Sequence, residues 1–390
     1  MAKLPSGQCI VPPKSRNLHD FGELDQMVTS EGASPLPSTR DVWCINRAGS
    51  LDRLTRATEP LPPPGPGEAR IRVEAIGVNF ADVFACLGLY SATPSGPFVP
   101  GLEAAGVVEA VGPPSAGVAA PANVRVGDRV MALTRFGSYT TALNHDVRYL
   151  RVVPDRWSLA DGAAFPAQAI TAWYGLVALG RIARNEVVLV HSAAGGVGLH
   201  ALDLARAAGA SVVATVGSDA KRDWLVAGQR LDPDAIIVRD RHAFAAQLRH
   251  ALAAIGQTSV DIVFDAVMGP YFQPAWERLR SEGRYIVYGA ADFMTPGPRP
   301  NWLTLAWRWL GRPRLDPLQT IAENRTLSGF NLIWMWDRID RLPAAYDAVL
   351  AGAHAPPHIG ARFRFADAPD ALRALQSGTT VGKVIIDVGH

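Results

Sequence analysis

The sequence predicts an α/β protein, a doubly wound parallel sheet inserted into a β-rich domain. Three observations carry that expectation. Residues 187–190 are a short, continuous apolar run leading into Ala193-Ala194-Gly195-Gly196-Val197-Gly198, then a helical pattern to 208 and a second apolar strand at 211–215. Beyond them, strand-like and helical runs alternate, as in a parallel sheet covered on both faces. On either side of this block lie short strands punctuated by Gly and Pro, the pattern of a compact β-rich domain.

Taken in order, residues 1–40 mix Pro, Ser, Gly and charges without periodicity. They read as a loose extension, with Phe21 and Leu24 as its docking side chains. From Asp41 the pattern turns strand-like. Arg70-Ile71-Arg72-Val73-Glu74-Ala75-Ile76 alternates polar and apolar after the turn-rich Pro62-Pro63-Pro64-Gly65-Pro66-Gly67, as a half-buried antiparallel strand does. Further strands are expected at 106–111, 129–133 and 147–153. Residues 163–179 are alanine-rich and helical in period, and lead into the glycine-motif strand. Strand and helix then alternate at 235–238, 244–255, 261–264, 276–279 and 284–288. Past Asn324 the β pattern returns at 326–333 and 381–388, around helical stretches at 341–351 and 368–376. The expected organisation is an extension (1–40), the β-rich domain's first part (41–165), a dinucleotide-binding domain (166–324) and a return to the β-rich domain (325–390).

Composition narrows the classes. With 390 residues, 48% of them hydrophobic and 19% charged, the chain can bury large cores. Lys and Arg number 38 against 36 Asp and Glu, so net charge implies no nucleic-acid partner. Cys9, Cys44 and Cys86 are too widely spaced for a metal cluster, and their odd number argues against a disulfide framework. No apolar run is long enough to span a bilayer, and the N-terminus lacks the pattern of a signal peptide. A soluble, cytoplasmic protein is the expectation.

The hexapeptide fits G-x-G-x-x-G with Ala193 in the first glycine position, Gly195 in the second and Gly198 in the third. In a Rossmann-type unit the second glycine lets backbone approach a pyrophosphate and the third lets helix pack on strand, while the helix N-terminus offers free amides. Ala194, Gly195, Gly196, Val197 and Gly198 are therefore candidate cofactor contacts. An NAD site places an acidic residue about 20 residues further on. Here the strand tip reads Val216-Gly217-Ser218-Asp219-Ala220-Lys221-Arg222. Gly217, Ser218 and Lys221 favour the 2′-phosphate of NADPH, with Asp219 the discordant residue.

The chain resembles the medium-chain dehydrogenase/reductase superfamily, in its zinc-independent quinone oxidoreductase branch. The likeness rests on Gly77-Val78-Asn79-Phe80-Ala81-Asp82, Gly88-Leu89-Tyr90, Pro100-Gly101-Leu102-Glu103-Ala104-Ala105-Gly106, Val126-Gly127-Asp128-Arg129-Val130, Ile170-Thr171-Ala172 and the glycine turn. Ile321-Ala322-Glu323-Asn324-Arg325, Gly329-Phe330-Asn331-Leu332 and Val381-Gly382-Lys383-Val384 look most like the synaptic vesicle membrane protein VAT-1 subgroup.

The resemblance implies a GroES-like β-rich domain, NADPH as cofactor with Lys221 on its 2′-phosphate, and a homodimer. It places Asn79, Asp82, Tyr90 and Thr171 at the catalytic cleft, with Asn79 and Thr171 also near the cofactor, and it adds Tyr288, Gly289 and Lys383 as cofactor contacts. Asn79 equally suits a turn, Asp82 a helix cap, and Tyr90 packing with its hydroxyl at water. Zinc members of the superfamily use cysteines and a Gly-His-Glu motif, whereas this chain reads Gly101-Leu102-Glu103. No metal is expected, so the implied substrates carry an electrophilic carbon already: quinones or α,β-unsaturated carbonyls. Some quinone reductases have Tyr at Phe84 and Arg at Gly329, so the proton donor is left open. A second implied reading is a VAT-1-like peripheral membrane or interaction protein whose nucleotide is structural or regulatory. Trp302, Trp307, Trp309, Trp334 and Trp336 are half of the ten tryptophans. Burial between the domains is their expected role, a substrate wall the next, and a membrane or partner surface the third.

Overall fold

The structure, a computed structural model, describes residues 37–115, 124–229, 231–336, 338, 341–352 and 355–389. The docking expected of Phe21 and Leu24 lies outside the described residues.

A six-stranded parallel sheet forms the centre. Val187–Val190, Ser211–Val216, Ile236–Val238, Val260–Asp265, Leu279–Val287 and Thr326–Gly329 follow one another in the chain and stand in space in the order third, second, first, fourth, fifth, sixth. Val187–Val190 and Val260–Asp265 are buried at every residue. Helices on both faces explain that continuous burial. Gly196–Ala208 packs through Leu199, Leu202 and Ala205 and stops at Gly209, whose φ of 72° is left-handed. The strand order reverses between Val187–Val190 and Val260–Asp265, and this doubly wound arrangement opens a ligand crevice at the carboxyl ends of the strands there.

The second sheet has seven strands. Ile359–Arg364, Lys383–Asp387, Glu68–Val78, Glu103–Val111, Arg129–Leu133 and Leu150–Val152 lie side by side, and Ala142–Asp146 adds to Glu68–Val78. Thr39–Ile45 and Leu54–Pro60 form a separate antiparallel pair. The two sheets touch where Gly382 N donates to Ala194 O at 2.8 Å.

Two expectations need correction. Thr326–Gly329 does not return to the β-rich domain: it is the parallel sheet's edge strand, with Tyr285 opposite Leu327. Its mostly exposed residues resemble a solvent-facing strand, which misplaced the boundary at 325. The single helical run at 163–179 is broken into Leu159–Ala164 and Pro166–Trp173, followed by a wider turn at Tyr174–Leu179. Pro166 has no N–H to continue the first helix.

Candidate active site

A cleft of about 1210 Å³ runs between the sheets, with the glycine turn on one wall. Gly195 N donates to Ser192 O at 2.9 Å, and the helix starts at Gly196. Its first amides have no intrahelical acceptor and provide an anion site. The glycines are not equivalent. A Cβ at Gly198 would lie 2.4 Å from Ser192 O, and one at Gly196 would lie 1.7 Å from Gln168 Oε1. A Cβ at Gly195 meets only Ser192 O, at 3.2 Å. Gln168 Oε1, in a residue that lines the cleft, is buried without a hydrogen-bond partner among the described residues. Ala194, Val197, Gly217, Tyr288 and Gly289 line the same cleft.

At the end near Gly217 stand two cations. Lys221 Nζ donates to Gly378 O at 2.6 Å, and Arg239 Nη1 donates to Thr215 Oγ1 at 2.9 Å. Burial and then the neighbouring Arg239 push the Lys221 ammonium down from its usual range, and burial does the same to Arg239. Each would gain from a phosphate. Asp219 pairs with Arg222 at 3.2 Å, is 74% exposed and does not line the cleft. Ser218 is exposed beyond the cleft wall.

The other end carries Thr171, Asn79, Tyr90 and Asn331. Thr171 Oγ1 donates to Ala167 O at 2.6 Å. Tyr90 OH donates to Asn331 Oδ1 at 2.8 Å, and burial pushes that phenol up to about 12. Ile333 N also donates to Asn331 Oδ1, at 3.4 Å, which fixes the amide's orientation and leaves Nδ2 as a donor without a protein acceptor among the described residues. Phe84 and Gly329 line this end without a proton to give.

Two expected contacts lie elsewhere. Lys383 is fully buried, and its Nζ donates to Asn79 Oδ1 at 2.8 Å and to Glu103 Oε1. It stands behind the wall and does not line the cleft. A fully buried lysine needs a buried carboxylate, and Glu103 provides one. Asp82 is also fully buried, where Oδ2 accepts Asn79 N at 2.8 Å and Tyr139 OH at 3.3 Å. It caps the helix Phe80–Cys86 and touches no part of the cleft. Burial pushes its carboxyl up to about 7, against the pull of the Asn79 amide and Lys383.

Asn79 lines the cleft, yet its amide is spent inward: Nδ2 donates to Glu103 Oε1 at 2.8 Å and Gly77 O at 3.3 Å. Glu103 Oε2 accepts Ala167 N at 2.8 Å, so one carboxylate ties three segments together. Sequence reasoning missed Glu103 and Asn331 as site residues. The available signal was two opposite charges, Glu103 and Lys383, each opening a strand directly before an apolar run. Among the described residues no three His, Cys, Asp or Glu side chains gather as a metal site.

Residues 65–165 match the family described as alcohol dehydrogenase GroES-like domain, and residues 231–386 the family described as zinc-binding dehydrogenase. The human synaptic vesicle membrane protein VAT-1 homolog is 32% identical over 346 residues, 87% of this chain and 84% of its own. The chain belongs to the medium-chain dehydrogenase/reductase superfamily, in its VAT-1-like branch. Two solved members of this superfamily's fold extend the comparison. CurK enoyl reductase superposes with a TM-score of 0.72 at 26% identity, covering 90% of this chain and 99% of its own. The quinone oxidoreductase from Thermus thermophilus, solved also with NADPH, gives 0.66 at 27% identity over 89% and 100%. The dehydrogenase/reductase architecture thus accounts for both sheets and for the nicotinamide dinucleotide cleft between them. In zinc members the second motif position is His; here Leu102 precedes a Glu103 already committed to Lys383, Asn79 and Ala167.

Proposed function

We propose that the protein is an NADPH-dependent reductase of quinones or α,β-unsaturated carbonyls that needs no metal. The observation that carries this reading is one continuous cleft with the Lys221–Arg239 pair at one end and the Tyr90–Asn331 pair at the other. Bound NADPH supplies hydride. The protein's own part is to bind and to polarise. The glycine-turn amides hold the pyrophosphate, and Lys221 and Arg239 flank the 2′-phosphate. Asn331 Nδ2, held by Tyr90 and Ile333, donates to the carbonyl oxygen on which charge builds. With Phe84 and Gly329 offering no acid, water reaching the cleft delivers the proton. The solved NADPH complex of the Thermus thermophilus enzyme and the activities named for both structural relatives support this assignment.

NADPH oxidation with a panel of small quinones and enones tests it, and a folded, NADPH-binding protein inert toward the whole panel refutes it. Asn331→Ala is expected to lower kcat by about a hundredfold with NADPH affinity unchanged. An unaltered kcat removes Asn331 from the mechanism.

Cofactor choice is tested separately. Lys221→Ala is expected to weaken NADPH by about tenfold or more and leave NADH unchanged, since a charge-assisted phosphate contact contributes about 1.5–3 kcal/mol. Dissociation constants for both cofactors at one salt concentration decide the point, and equal weakening refutes the assignment. The second reading, a VAT-1-like membrane or interaction protein, is favoured by one observation: the exposed tryptophans.

A further inference from the structure

The tryptophan-rich segment is not the buried packing expected of it. Trp302 is 65% exposed, Trp307 78%, Trp309 58% and Trp334 51%. Only Trp336 turns inward, stacking on Tyr149 at 4.0 Å beside the cleft.

The helix Trp302–Leu310 presents its apolar side to solvent. Leu305 is its one buried residue. Trp302, Leu303, Ala306, Trp307 and Leu310 span an arc of about 140° at 3.6 residues per turn, and all are exposed. The opposite side holds the helix to the protein. There Leu305 packs and Arg308 Nη1 donates to the carbonyls of Asp292 and Met294. Asn301 Oδ1 caps the N-terminus by accepting Thr304 N at 3.0 Å. The next helix, Pro317–Glu323, adds Leu318 and Ile321, 70% and 76% exposed. So much exposed apolar surface marks an interface.

Charge selects the occupant. Between Asp292 and Asp316 the chain carries Arg299, Arg308, Arg312 and Arg314 and no carboxylate. The Arg312 guanidinium lies 4.0 Å from the centre of the Trp309 ring. In a two-fold contact between copies the same patch meets itself, setting arginines against arginines without an offsetting charge in the segment. An anionic lipid surface meets both features, because apolar side chains enter the acyl boundary while arginines reach phosphates. Met294, Pro296 and Pro298, in the strap leading to this helix, also line the cleft.

We propose that the helix Trp302–Leu310 docks the protein on an anionic phospholipid bilayer, inserting Trp302, Leu303 and Trp307 and setting Arg299, Arg312 and Arg314 at the headgroups. The proposal concerns a surface and stands independently of the hydride-transfer reading. Co-sedimentation of the full chain with vesicles of phosphatidylcholine, alone or mixed with phosphatidylglycerol, tests it. Binding to the mixed vesicles is expected to be tighter by about tenfold or more. Leu303→Glu with Trp307→Glu is expected to abolish it, with NADPH affinity and melting temperature unchanged. Should that variant fail to fold, Arg299→Glu with Arg314→Glu leaves the apolar face intact and is expected to remove the preference for phosphatidylglycerol. Absence of wild-type binding to mixed vesicles overturns the proposal, as does binding that survives both pairs of substitutions. So does a wild type that ignores vesicles and is dimeric where the Leu303→Glu/Trp307→Glu variant is monomeric, which would assign the face to a second copy.

Discussion

Gly195→Val is expected to abolish NADPH binding in a chain that still folds. Gly195 has φ −82° and ψ 165°, extended backbone that any residue adopts. Its added Cβ would have one neighbour within 4 Å, the Ser192 carbonyl at 3.2 Å, so the turn itself has room for the branched side chain, and Gly195 lines the cleft. That is where backbone must approach the pyrophosphate. Gly198→Val makes a different experiment, since its Cβ would press on Ser192 O and the backbone of Ala193. There the turn itself must move, and lost binding would report lost structure. Fluorescence titration with NADPH, beside a thermal melt, distinguishes the two. A folded Gly195→Val protein that binds NADPH as wild type does would refute the cofactor assignment of this turn.

Lys383→Met is expected to destabilise the protein by about 3–5 kcal/mol, because it leaves the Glu103 carboxylate buried without its cation. Both side chains of the pair are completely buried. Glu103 keeps Asn79 Nδ2 and Ala167 N, two neutral donors that cannot replace a full charge. Removing both charges, in Glu103→Leu with Lys383→Met, is expected to recover much of the loss, as apolar replacements of buried ion pairs do. Urea denaturation of the two variants measures this. A single-variant loss below about 1 kcal/mol, the size expected of an exposed pair, would mean that the pair is not energetically buried.

The inserted parallel sheet was legible because its strands have no wet face. The runs at 187–190 and 262–264 are apolar end to end, and the glycine turn sits where strand becomes helix. Thr326–Gly329 was misplaced for the converse reason: an edge strand with exposed side chains carries no such signature. At the site, glycines and Lys221 were readable because backbone approach and phosphate charge each demand a residue type. Asn331 was not, since its orientation depends on Tyr90, 241 positions away. Asp82 and Lys383 were expected at the cleft because resemblance gives position in a motif, and position does not say on which side of a wall a side chain lies. The tryptophans were misread on an average tendency of large aromatics to be buried, which the helix at 302–310 overrides through the outward turn of its apolar arc.

The Glu103–Lys383 contact also sets an order of assembly. It closes a loop of 280 residues, and the strand that carries Lys383 pairs with Glu68–Val78, near the other end of the described chain. In a chain emerging from the ribosome N-terminus first, residues 68–165 therefore wait with an unmatched strand edge and a carboxylate lacking its cation. The parallel sheet uses pairings made only within 187–329, so it can be complete while the surrounding domain is still open. Long-range closure of this kind is slow and exposes strand edges to other chains. The nucleotide-binding half is thus ready before the domain that walls its cleft, and nascent chains are most exposed to aggregation in the interval before the strand Lys383–Asp387 is released.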